Sequence, residues 1–366
     1  MKTIVFLVEQ AINMGPENVV LDICRCIDRN KYKPVIFSLR NEDPEKTIEP
    51  KFTEMGIEVQ HFGMGMLQQE LLTWTVARKV KKAFVEVGGE ILHAHCYHPQ
   101  LIASLMKGVK TISTIHNISG EDFIMKKGEK FGGYMKWRFD RSLPKIDWSI
   151  AISDYMMEYY DGMCKKLTKI PNGVSFRKDE NFASAAFKSS LGMDCTKPVI
   201  VVTGTVSSRK NVTYLVSELK QSAKDFVCLI IGAGDKLEEC KEIASNDNRF
   251  RFEGYRSNVS DYLSIADYYI SASKSEGLPL SVLEAINMGV PCLLSDIRPH
   301  KEIVESMNVE GVSCYSLSSG ALISAFDNAM GARYDHKAIE KKAYQVYSAE
   351  VMAKEYENVY DNIGNC

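Results

Sequence analysis

The sequence predicts an α/β protein built from two Rossmann-like, doubly wound domains, and three observations lead there. Apolar, β-branched stretches alternate with helical periodicity at residues 3–8, 32–39, 58–62, 90–95 and 110–116, as in a parallel sheet covered on both faces. The run Pro198-Val199-Ile200-Val201-Val202-Thr203-Gly204 is almost continuously apolar, as a strand buried on both faces must be. A length of 366 residues suits two domains, each large enough to bury its own core.

Composition narrows the classes. The chain is 45% hydrophobic and 25% charged, ordinary for a soluble globular protein. A formal net charge of -2 argues against a bulk nucleic-acid binder and leaves room for local basic patches. Ten cysteines are scattered, with only Cys24-Arg25-Cys26 close together, which reads as buried thiols in a reducing cytosol rather than a disulfide framework. The opening strand follows a single lysine and lacks the cleavage site of a signal peptide. No run of about 20 apolar residues predicts a membrane span, so the expected location is cytoplasmic.

The first strand leads into Glu9-Gln10-Ala11-Ile12-Asn13-Met14-Gly15-Pro16-Glu17-Asn18 and a helix expected through Arg29. Gly15 at this strand–helix turn lets backbone approach a ligand closely. His93-Ala94-His95-Cys96-Tyr97-His98 has the look of a metal cluster, yet His93 and His95 share one strand face without a carboxylate or cysteine set to close a site, so no metal is expected. Thr114-Ile115-His116-Asn117 ends a strand, where ligands bind in open α/β sheets; a satisfied structural histidine is the alternative for His116. Residues 121–147 interleave Lys126, Lys127, Lys130, Lys136, Arg138, Arg141 and Lys145 with Phe123, Phe131, Tyr134, Trp137 and Phe139, and residues 74–84 repeat the pattern around Trp74 and Arg78. Such segments suit an anionic membrane surface or a phosphate-bearing acceptor, or else a solvated face over an apolar stripe. Residues 147–153 form a strand ending at Ser153, an expected N-cap. Pro171-Asn172-Gly173 is turn chemistry and places the hinge. The expected division is therefore 1–172, 173–345 and a terminal helix, 346–366. Residues 339–360 are helical by period throughout.

The most informative stretch follows the strand at 267–272: Ser273-Lys274-Ser275-Glu276-Gly277-Leu278-Pro279-Leu280-Ser281-Val282-Leu283-Glu284-Ala285-Ile286-Asn287-Met288-Gly289-Val290-Pro291. A strand, a glycine turn and a helix starting near Pro279 make an anion site, because the first N–H groups of a helix are unpaired and carry partial positive charge. Glu276 in that turn cannot bind phosphate and so accepts from hydroxyls. Glu284, about two turns along, lies on roughly the same side and serves a second pair. Two hydroxyl-binding carboxylates flanking an anion site describe a sugar nucleotide; the plain alternative is a strand–helix unit with two solvated glutamates.

Ser-x-x-Glu-Gly-Leu-Pro-Leu-x-x-Leu-Glu-Ala-x-x-x-Gly-x-Pro, with Glu276 and Glu284 seven residues apart, resembles the signature of family 4 retaining glycosyltransferases of GT-B fold. The resemblance covers nearly the whole chain and is most specific over residues 198–305. It implies two Rossmann-like domains facing a central cleft, with the last helix crossing back onto the first domain. By the same resemblance Glu276 orients the donor sugar, Glu284 binds the ribose and His116 contacts the sugar. Lys210, aided by Arg209 and the helix start at Gly277, Leu278, Pro279 and Leu280, stabilises the departing nucleoside diphosphate. Gly15, Gly204 and the main chain around Tyr255 also serve the donor. The expected substrate is a nucleotide sugar, UDP-linked by preference, with a glycan or lipid-linked acceptor in bacterial polysaccharide synthesis, no metal cofactor and no nucleic acid. The rivals are a non-catalytic nucleotide-sugar-binding module and an epimerase or phosphorylase of the same fold. The chain departs from the family in having Met14 for a loop glycine, Thr205 for an early loop arginine, and Arg298-Pro299-His300 where a Gly-Gly pair is common.

Overall fold

A computed structural model describes residues 1–364 apart from 176–178, 180, 195 and the side chain of Lys126. The chain folds into two compact units, one of Met1–Gly173 with Ala349–Cys366, the other of Val174–Ser348.

In the first unit, β1 (Lys2–Val8), β2 (Tyr32–Ser38), β3 (Glu58–His61), β4 (Ile91–His95), β5 (Lys110–Ile115), β6 (Trp148–Ala151) and β7 (Leu167–Lys169) form one parallel sheet in the order β3-β2-β1-β4-β5-β6-β7. Val5 lies opposite Val35 on one side and Leu92 on the other. The central strands β1, β4, β5 and β6 are buried on both faces, which is why they read as apolar runs, whereas the edge strands β3 and β7 are partly exposed. In the second unit β8 (Val199–Thr203), β9 (Val227–Ile231), β10 (Phe250–Gly254), β11 (Tyr268–Ser271), β12 (Cys292–Ser295) and β13 (Val312–Tyr315) run parallel in the order β10-β9-β8-β11-β12-β13. Its core gathers Ile200, Val202, Leu215, Leu219, Phe226 and Phe326. In both sheets the order reverses beside the first strand, at β1/β4 and at β8/β11, and a doubly wound sheet binds ligands outside the carboxyl ends of its strands at such a reversal.

Three expectations need correction. The first helix stops at Cys26, short of Arg29, because Ile27 turns extended. The tail is two helices, His336–Tyr347 and Ala349–Asn362, because Ser348 between them is extended and bridges to Val174. Thiols are only half as buried as composition suggested. Among the described residues eight cysteines form no disulfide, with Cys24, Cys228, Cys240 and Cys292 buried and the other four partly exposed. The helix Ser119–Ser142, which carries most of the basic-aromatic residues, breaks at Gly128, whose φ of 76° suits glycine. Lys126, named among those basic residues, lies outside the described side chains. Among the described residues no helix is long and apolar enough to cross a membrane.

Candidate active site

The loops leaving β8 and β11 meet at the reversal of the second sheet. Backbone stitches them: the Lys274 N–H donates to the Arg209 carbonyl at 2.8 Å, and Arg209 Nη1 donates to the Ser275 carbonyl at 2.8 Å. Gly232, after β9, shows how tightly the loops pack, since a Cβ there would stand 1.9 Å from the Gly204 carbonyl oxygen.

At the centre is Glu276, its side chain 7% exposed. Arg209 Nη1 lies 2.5 Å from Oε2, Lys210 Nζ 2.7 Å from Oε1, and the Ser273 hydroxyl donates to Oε1 at 2.7 Å. Burial pushes the carboxyl up, but Lys210 and then Arg209 overcome it and hold Glu276 at about 2. This glutamate is therefore a fixed anion, and the solvated-glutamate alternative fails for it. Lys210 also reaches Gly204: a Cβ on that glycine would meet the lysine Cε at 3.5 Å.

Sequence reasoning missed what stands behind Glu276. The Ser273 carbonyl accepts from the Ser295 hydroxyl at 2.6 Å, and His300 Nδ1 meets the Ser295 carbonyl at 2.9 Å and its hydroxyl at 3.0 Å. A carbonyl only accepts, so His300 carries its proton on Nδ1. Burial, the largest cause, lowers this histidine to about 4. The signal was present in Arg298-Pro299-His300, where the chain departs from the family pattern, although no spacing rule connects it to Glu276.

The remaining donor-side residues are spread more widely. Pro279 is the N-cap of the helix Leu280–Asn287, and Gly277, Leu278 and Pro279 are buried in the turn before it. Glu284 lies partly exposed on that helix. Tyr255 follows β10, two strands from β8, and is 58% exposed.

Gly15 and His116 belong to the first unit. Gly15 opens the helix Gly15–Cys26, with exposed Met14 as N-cap. His116 follows β5 and pairs through Nε2 with Nδ1 of His95 at 2.9 Å. His93 binds the Tyr360 hydroxyl through Nδ1 and the Thr114 hydroxyl through Nε2, both at 2.8 Å. Among the described residues no group of three His, Cys, Asp or Glu side chains is placed to hold a metal ion. A second network also escaped the sequence. His98 Nδ1 lies 2.7 Å from Glu9 and its Nε2 3.0 Å from Glu70, which also pairs with Arg138.

Two separate parallel, doubly wound sheets are the architecture of the GT-B fold. The chain belongs to the family 4 glycosyltransferases: the family model Glycosyltransferase Family 4 matches residues 14–178, and Glycosyl transferases group 1 matches residues 184–346. It is similar to the UDP-Gal:alpha-D-GlcNAc-diphosphoundecaprenol alpha-1,3-galactosyltransferase of Escherichia coli, 27% identical over 59% of this chain and 60% of that protein. The chain thus spans under two thirds of that relative. It is also similar to the O-antigen biosynthesis glycosyltransferase WclY of Escherichia coli, 22% identical over 98% of each. Among solved structures, Anabaena Alr3699/HepE in complex with UDP and glucose shares the GT-B fold, with a TM-score of 0.77 and 16% identity over 98% of this chain and 99% of that one. The sucrose-phosphate synthase of Thermosynechococcus elongatus matches with a TM-score of 0.80 and 15% identity over the full length of both.

Proposed function

We propose that this glycosyltransferase is retaining and moves a sugar from a UDP-sugar to a glycan or lipid-linked acceptor in bacterial surface polysaccharide synthesis. The observation that carries this reading is Glu276, anionic and clamped by Arg209 and Lys210 where a doubly wound sheet binds ligands. Glu276 accepts from hydroxyls of the donor sugar, and Glu284 from those of the ribose. Lysine has three N–H donors and arginine five, so both keep donors beyond those given to Glu276. These meet the charge that develops on the leaving diphosphate, from side chains held in place before the reaction by their bonds to Glu276. The turn at Gly277–Leu280 adds N–H groups, Gly204 and Gly15 let backbone come close, and main chain near Tyr255 holds the base. His116 contacts the sugar, and retention follows front-face attack by the acceptor hydroxyl. The UDP assignment draws on the galactosyltransferase, named for a UDP-Gal donor, and on Alr3699/HepE, solved in complex with UDP and glucose. The relatives are transferases and synthases, which does not favour the binding-module or epimerase reading.

The test is incubation with labelled UDP-sugars, with and without lipid-linked acceptors. The expected result is acceptor-dependent UDP release that persists in excess EDTA, with a product of the donor's anomeric configuration. An inverted product sinks retention. Donor binding without release or transfer favours the binding module instead, and loss of activity in EDTA with return on adding magnesium or manganese sinks the cation-only account.

A further inference from the structure

We propose that His95 is a positioning residue that fixes the tautomer of His116, so that His116 presents Nδ1–H, a hydrogen-bond donor, to the transferred sugar. The inference rests on the sugar-contacting role given to His116 above.

His95 ends β4 and is fully buried, whereas His116, just past β5, is half-buried. Nδ1 of His95 lies 2.9 Å from Nε2 of His116, with the rings tilted by 31°. Two nitrogens in such a bond share one proton, so one ring donates and the other accepts. Burial lowers both histidines, His116 to about 3, and both rings are neutral at neutral pH.

Two arrangements remain. If His116 donates from Nε2, neutral His95 must carry its own proton on Nε2. That atom is buried with no hydrogen-bond partner among the described residues. Its ring neighbour His93, 4.3 Å away between centroids, has both nitrogens committed to Tyr360 and Thr114. If His95 donates from Nδ1, its Nε2 is a bare lone pair and no N–H is stranded. Buried N–H groups without acceptors are rarer in proteins than under-used acceptors, which selects the second arrangement. His116 then receives at Nε2 and must hold its proton on Nδ1. An Nδ1–H favours a sugar hydroxyl oxygen at that position and disfavours a group that can only donate.

The test is a long-range proton–nitrogen correlation spectrum of the full chain labelled with nitrogen-15 histidine, with His116 assigned from its loss in His116→Gln. The expected wild-type spectrum shows His116 protonated on Nδ1 and bare on Nε2; the opposite tautomer overturns the proposal. His95→Asn places an amide where Nδ1 stood and should keep both tautomer and turnover. His95→Gln moves the amide to the place of Nε2, and should mix the His116 tautomers and lower kcat by about three- to tenfold, the value of one neutral hydrogen bond. A Gln variant with the wild-type tautomer overturns the positioning role. If the His95 variants fail to fold, the wild-type spectrum decides, with His116 assigned from His116→Gln. If the tautomer is as expected but His116→Gln keeps full turnover, the sugar-contacting reading fails while the tautomer assignment stands.

Discussion

Replacing Lys210 with alanine removes two things at once. The ammonium is bonded to Glu276, and in the proposed chemistry it also meets the leaving diphosphate. A charge-assisted contact is worth about 1.5–3 kcal/mol, so turnover should fall at least about tenfold. A surface truncation would cost within about 0.5 kcal/mol of stability, but Lys210 is only 15% exposed and holds a buried carboxylate. Its loss should therefore also destabilise by about 1–3 kcal/mol, less than a stranded charge because Arg209 remains. Glu276→Gln keeps the size and removes the charge. If both variants turn over and bind donor near-normally in kinetics and titration calorimetry, the site assignment is wrong. Glu276 titrates near 2, so an acid limb of activity above pH 4 must belong to other groups. Glu17 behaves in the opposite sense. Burial first, and the charge of Glu9, raise its carboxyl from 4.5 to about 8. Below pH 4.5 both folded and unfolded chains hold this proton; as pH rises to about 8 the unfolded chain releases it first, and stability falls. Glu17→Gln should match wild type at pH 4 and exceed it by about 4–5 kcal/mol at pH 9, the worth of a shift from 4.5 to about 8. Equal differences in thermal midpoint at both pH values would contradict the assignment.

At the scale of elements, the helix Ala349–Asn362 docks on the first sheet through buried hydroxyls as well as apolar area. Tyr360 donates to or accepts from His93, and Tyr356 meets the Thr114 hydroxyl at 2.9 Å. Tyr360→Phe leaves His93 Nδ1 buried and unpaired, and should cost about 1–3 kcal/mol in denaturant unfolding; an unchanged midpoint would mean that the polar contact is idle. This helix also marks the limit of sequence reading. Its periodicity was legible, but the break at Ser348 was not, since nothing local in Tyr347-Ser348-Ala349 forbids a continuous helix and the extended Ser348 is held by its bridge to Val174. The long strands were legible because burial on both faces leaves a continuous apolar signature. β7, three residues with one lysine, leaves none. In the site, Glu276 and Lys210 stood out by motif, whereas their bond joins residues far apart in sequence. The His98–Glu9–Glu70 network has the same character, assembled from three separate strand ends and helices with no spacing to betray it.

For the whole molecule the relevant quantity is where charge and apolar surface lie. The chain as a whole carries -2, so its net charge gives no attraction to anionic lipid. The first unit nevertheless exposes Leu67, Leu71 and Trp74 beside Phe131, Tyr134 and Trp137, and Arg138 ties the two segments together through Glu70 and Thr73. Arg78 lies over Trp74 at 3.6 Å and Arg141 over Trp137 at 5.3 Å, so cations and aromatic rings are presented together. That combination suits the boundary between headgroups and acyl chains, with rings inserted and cations at the phosphates. We expect the protein to float with vesicles containing anionic lipid and to remain in solution with zwitterionic ones. Each basic residue near such a surface contributes about 1 kcal/mol, screened within a Debye length of about 8 Å at physiological salt. Neutralising exposed Lys127 and Lys130 should therefore weaken partitioning by about tenfold or more at low salt, with the difference shrinking as salt rises. Trp137→Ala should weaken it at every salt concentration, because buried apolar area is not screened. Flotation that is the same for the wild type and both variants, or missing at low salt, would leave these segments as a solvated face.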